Sequence, residues 1–162
     1  DLIELKTTAV SYKEKVDIND VILDALKGFQ KDFSESHIEV QTDLSDKSPI
    51  ASVDKEQLRL ALRSLFKNAL EAMEHSPRKA LTVTSDMEDD RIKLEIRDTG
   101  RGIPKEKIKN IFDPFFTSKT TGPGLGLTLA SKIIQEHRGN ISVESEPEQG
   151  TCVTISLPLK RG

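Results

Sequence analysis

The chain has 162 residues, which suits one domain burying roughly 68–70% of its unfolded surface. Its 24 basic and 27 acidic side chains leave a formal net charge of −3, and with no basic tract the composition offers no footing for nucleic acid. There is no long apolar run or secretory leader pattern, so the sequence reads as a soluble piece, and its one cysteine, Cys152, reads as a small buried hydrophobe of a reducing compartment.

Residues 1–15 are polar with scattered apolar positions and are expected to form a linker or the end of a helix from a neighbouring domain. Val16-Asp17-Ile18 reads as a short edge strand. Asn19 is then expected to cap a helix whose apolar positions Val21, Ile22, Ala25, Leu26 and Phe29 recur at helical spacing and fade by Ser34. Ile38, Val40 and Thr42 alternate as a strand, Asp43 to Pro49 is a polar link, and Ile50 to Val53 adds a short strand. Asp54 with Gln57 three residues on reads as an approximate capping box. It opens a helix striped by Leu58, Ala61, Leu62, Leu65, Ala69, Ala72 and Met73, ending near His75 before Pro77.

Ala80 to Thr84 and Arg91 to Arg97 read as a hairpin whose turn, Met87 to Asp90, carries three acids without the alternating oxygen spacing of a calcium loop. The period of two stops at Asp98, and Gly100, Gly102 and Pro104 turn the chain off the sheet. The missing Cβ atoms would let a planar ligand approach main chain, and Asp98 would present a carboxylate from a stiff strand end. A short helix is expected from Pro104 to Ile108, then a long loop from Asn110 to Pro123 of the size that tends to be functional. Leu125, Leu129, Ile133 and Ile134 restore helical spacing, Gly139 stops the helix, and Ile141 to Ser145 with Cys152 to Leu159 form a last hairpin. The fold class expected is α+β: one mixed, largely antiparallel sheet with three main helices on one face.

Four segments in this order carry a resemblance. Leu65-Phe66-Lys67-Asn68-Ala69, Asp98 to Gly102, Phe112 to Phe116, and Gly122-Pro123-Gly124-Leu125-Gly126-Leu127 resemble the asparagine, first glycine, phenylalanine and second glycine boxes of the sensor histidine kinase ATP-binding domain. The resemblance spans about Asp54 to Leu159 and implies a Bergerat-type ATP-binding fold over residues 16–160, with residues 1–15 as a linker or the end of a dimerisation helix. The Phe-Phe-Thr-Ser-Lys run resembles the lid of the nitrogen-sensor-like kinases.

The resemblance implies ATP and Mg²⁺ as ligands. Asn68 matches the metal-coordinating asparagine, and Asp98 matches the aspartate that accepts from the adenine amine, with Gly100, Gly102 and Ile103 beside it. Phe112, Phe115 and Phe116 would anchor the lid, and Thr117, Ser118, Thr121 and above all Lys119 would reach phosphate oxygens. Gly122, Gly124, Leu125, Gly126 and Leu127 would aim backbone N–H groups at the phosphates from a helix start. No Gly-Lys-Ser/Thr follows, so this is not a Walker loop.

Ser64 stands where the related gyrase, mismatch-repair and heat-shock ATPases carry a water-activating glutamate, and serine without a paired base activates water poorly. This sets a hydrolytic switch behind the kinase reading, and the intact metal, adenine and lid positions set a non-catalytic nucleotide-responsive module behind it as well. His37, His75 and His137 lack the acidic follower of an acceptor site and read as surface or capping residues. The acceptor histidine is therefore expected on a separate dimerisation domain of a homodimeric, two-component parent. That parent would serve a response regulator receiver domain and be either cytoplasmic or membrane-anchored.

Overall fold

A computed structural model describes residues 12–111 and 123–160. Among these residues lie seven strands, β1 (Lys13–Asp17), β2 (Glu39–Asp43), β3 (Ile50–Asp54), β4 (Ala80–Glu88), β5 (Arg91–Asp98), β6 (Asn140–Glu146) and β7 (Gly150–Pro158). They alternate with five helices, α1 (Ile18–Gly28), α2 (Gln30–Glu35), α3 (Lys55–Ala72), α4 (Lys105–Ile108) and α5 (Pro123–Glu136). None of the helices is long and apolar enough to cross a membrane.

The expected α+β class holds, with one refinement: the strands make two sheets. The larger has the order β2-β4-β5-β7-β6, antiparallel except for the parallel β2–β4 pair, while β1 and β3 form a separate antiparallel pair. Alternation explains the larger sheet. Leu81 and Val83, Ile92, Leu94 and Ile96, and Val153, Ile155 and Leu157 point to one face and are buried, and the helices cover that face. Its other face carries Thr84, Glu95 and Thr154 in cross-strand register. Cys152 is buried as expected but belongs to this polar face, where it pairs across with Arg97 and donates to Glu95 Oε2 at 3.6 Å. Burial pushes its thiol pKa up.

The helices differ from expectation at their ends. β1 begins at Lys13, so residues 13–15 are strand rather than linker, and Ile18 is the first helical residue. The cap of α1 is Asp17, whose carboxylate accepts from Asn19 N at 2.9 Å; the Asn19 side chain instead donates to Ser45 O and accepts from Ser85 Oγ, tying α1 to β4. The first helical stretch breaks at Phe29, where Phe29 and Phe33 stack at 5.5 Å between centroids and both meet Phe66 of α3 edge to face at 6.2 and 6.5 Å, pinning the break against that helix. The β4–β5 hairpin is longer than expected, with Asp89 at φ 55 in its turn.

Asp54 does cap α3, accepting from Gln57 N at 3.2 Å, but the reciprocal bond of a capping box is absent. The Asp54 N–H donates to His137 Nε2 at 3.0 Å, and the buried Gln57 Oε1 has no partner among the described residues. His137 is therefore buried, 5% exposed, and not a surface residue, while the capping half of the expectation holds, since its ring bonds a carbonyl in the last turn of α5. Because its Nε2 accepts, Nδ1 carries the proton and donates to Ile133 O at 2.7 Å, fixing one neutral tautomer.

Candidate functional site

β5 runs out at Asp98, and the chain leaves between the C-terminal end of α3 and the tip of the β6–β7 hairpin. Each step of this exit is anchored. Thr99 Oγ1 donates to Arg78 O at 2.6 Å and accepts from Ala80 N at 3.0 Å, Arg101 N donates to Ala72 O at 3.0 Å, and Glu148 N donates back to Arg101 O at 2.6 Å. Ile103 N donates to Ser145 Oγ at 2.8 Å. The glycines answer to this packing. A Cβ on Gly100 would sit 2.6 Å from Ala72 O, and one on Gly102, at φ 73, would run into the Glu146 carbonyl. The missing Cβ atoms thus face protein, where the sequence suggested an approaching ligand.

Beside this exit a cleft opens on the helix side of the sheet. Leu65, Ala69 and Ala72 of α3, Ile96 of β5, Val153 of β7 and Leu127 of α5 give it apolar walls, while Asn68, Asp98 and Thr151 are its polar groups and Arg101, Gly102 and Ile103 its rim. Asp98 is 7% exposed; its Oδ1 accepts from Gly100 N at 2.8 Å, and Thr151 N also donates to the carboxylate. Burial pushes its carboxyl pKa up to about 6, against the pull of those two N–H groups and of the Arg101 charge. An ionised carboxylate offers about four acceptor directions, so two N–H bonds leave capacity toward the cleft.

Apolar walls with one buried acceptor at the head fit a flat ring bearing an amine. The half-buried Asn68 adds a neutral oxygen suited to a hard cation. Among the described residues no group of three or more His, Cys, Asp or Glu side chains could hold a metal, so a cation at Asn68 would take most of its ligands from a bound anion. Ser64, half-buried one turn earlier on α3, is not a lining residue and supplies no base.

Of the residues singled out in the sequence, Asn68, Asp98, Gly102, Ile103 and Leu127 meet in this cleft, and Gly100 packs behind it. Gly124, Leu125 and Gly126 fall in the first turn of α5, so the second glycine set enters the helix instead of preceding it. Phe112, Phe115, Phe116, Thr117, Ser118, Lys119, Thr121 and Gly122 lie outside the described residues. Sequence reasoning missed Thr151 and Ser145. The glycine just before Thr151, at φ 133 and with no room for a Cβ beside the Asp98 carbonyl, was the one local signal available.

Comparison with known proteins agrees with this geometry. The chain is similar to sporulation kinase E of Bacillus subtilis, 33% identical over 160 residues that are 99% of this chain and 21% of that protein. It is also similar to the sensor histidine kinase ZraS of Escherichia coli, 30% identical over 160 residues, 98% of this chain and 34% of that protein. The chain thus spans about a fifth to a third of the length of these relatives. The solved catalytic domain of histidine kinase ThkA superimposes with a TM-score of 0.81 at 27% identity, covering 91% of this chain and 96% of that one. The pattern of the histidine kinase-, DNA gyrase B- and HSP90-like ATPases matches residues 53–161, and the chain belongs to that family, as a catalytic ATP-binding domain of the histidine kinase type.

Proposed function

We propose that this domain binds Mg²⁺-ATP and passes the γ-phosphoryl group to a histidine on a separate dimerisation domain of a two-component kinase. The observation that carries the reading is the buried Asp98 carboxylate at the head of an apolar cleft that also holds Asn68. Asp98 would accept from the adenine amine, and a guanine carbonyl at that edge would meet another acceptor. Asn68 would be the residue that holds Mg²⁺, whose chemistry there would be to offset the charge of the transferred group. Lys119 and the second glycine set would steady the terminal phosphate. The imidazole nitrogen of the incoming histidine forms the N–P bond as the bond between the γ-phosphorus and the bridging oxygen breaks, and ADP leaves. Ser64 supports transfer over hydrolysis, because no carboxylate stands there to activate water.

The parent would be a homodimer that hands the phosphoryl group on to a receiver domain; ThkA has been solved in complex with the response regulator protein TrrA. The domain would work in the cytoplasm, with β1 onward as its folded unit. The test is transfer in trans. With γ-labelled ATP the chain should leave itself unlabelled, release phosphate slowly, and label its own histidine-bearing hairpin domain with an acid-labile, base-stable product. Asn68→Ala should lower transfer by about a hundredfold or more, and Lys119→Ala by a smaller, measurable factor. Rapid phosphate release without transfer would replace this reading with that of a hydrolytic switch.

A further inference from the structure

Thr151, the second residue of β7, is the cross-strand partner of Asp98, and it lines the cleft. Its hydroxyl lies 2.9 Å from Ser145 Oγ, and Ser145 has two more polar neighbours: Ile103 N at 2.8 Å and Gly150 O at 2.9 Å. A serine hydroxyl carries one hydrogen and two lone pairs. The Ile103 N–H occupies one lone pair. The Gly150 carbonyl can only accept, so it receives the Ser145 hydrogen. One lone pair is left for Thr151, which must therefore be the donor in that contact. A threonine hydroxyl also has a single hydrogen, and with that hydrogen committed to Ser145, Thr151 Oγ1 has only lone pairs to offer the cleft.

We propose that Ser145 is a positioning residue for base selection: it locks the Thr151 hydroxyl as an acceptor beside Asp98, so these two side chains both present acceptors at the head of the cleft. Such a pair matches an exocyclic amine and opposes a carbonyl, which extends the adenine-over-guanine preference beyond Asp98. The inference rests on the nucleotide reading above. Ser145 acts on the ligand through Thr151 alone, while its bonds to Ile103 N and Gly150 O hold its own hydroxyl in place.

Equilibrium binding of ATP and of GTP to the whole chain tests it, with the ratio of the two affinities as the readout. Ser145→Ala frees the Thr151 hydroxyl to rotate and donate, so the ratio should fall about tenfold, with GTP gaining. Ser145→Thr keeps the hydroxyl and should keep the ratio. In a Thr151→Val background, Ser145→Ala should change the ratio no further. If Ser145→Ala weakens both nucleotides by one common factor, Ser145 is a loop anchor alone and the proposal falls while the nucleotide reading stands. If Ser145→Ala does not fold, Thr151 decides: Thr151→Val should lose selectivity that Thr151→Ser retains, and a selective Thr151→Val overturns the proposal. A parent chain that binds neither nucleotide overturns the nucleotide reading itself.

Discussion

Burial holds the Asp98 carboxyl at about 6 even though two backbone N–H groups and the Arg101 charge favour its ionised form. Its folded pKa therefore lies above the ordinary 3.8, so its contribution to stability is fully present below about 3.8 and is lost as pH rises through about 6. The difference corresponds to roughly 3 kcal/mol of folding free energy. Asp98→Asn should flatten this dependence, leaving the ligand-free protein more stable than the parent at pH 8 and little changed at pH 3, while ATP binding weakens. Urea unfolding at the two pH values checks the first half and calorimetry the second. On the proposed reading, an arriving amine would give the ionised carboxylate a further donor beyond its two backbone N–H groups. That Asp98 ends a strand before a glycine turn was legible from alternation alone. That Thr151 and Ser145 stand beside it was not, because they lie 53 and 47 positions further along the chain.

At the scale of elements, three chain segments meet at the start of α3. Tyr12 N donates to Asp54 Oδ2 at 3.0 Å, His137 after the end of α5 accepts from Asp54 N, and Lys13 Nζ donates to Glu136 O at 3.1 Å. The helix that carries Asn68 is thus joined at its N-terminus to the last turn of the helix that opens with the second glycine set. Lys13 also places a positive charge where the α5 dipole is negative. His137→Ala would leave the buried Asp54 N–H and the Ile133 carbonyl without their partner, at a cost of about 1–3 kcal/mol, read as a lower urea midpoint with an unchanged slope. Gln57, which the capping pattern names as that partner, has an oxygen close by in sequence that is unpaired among the described residues and does not make the bond. The motif identified the cap correctly and its reciprocal half wrongly, since an imidazole 83 residues away occupies the N–H.

Across the molecule, β4, β5 and β7 form the middle of the main sheet, with inner faces covered and both edges of each strand paired, whereas among the described residues β1 and β3 form a two-stranded sheet of their own. Amide exchange should therefore be slowest in β5 and clearly faster in the β1–β3 pair, as followed by native-state hydrogen exchange. Equal protection in both sheets would show that the small pair unfolds only with the rest.

Local pattern was enough to find α1, α3, the β4–β5 hairpin, the last hairpin and the α+β class, because apolar spacing reports which face of an element is buried and capping residues report where it starts. The four motif segments were likewise enough to name the family and to single out Asn68 and Asp98. The separation of β1–β3 from the main sheet, the parallel seating of β2, the burial of His137 and the Ser145–Thr151 contact needed the folded chain. Each of these turns on which distant group completes a hydrogen bond. Periodicity cannot name that group, because it depends on the angles at which packed elements bring their ends together.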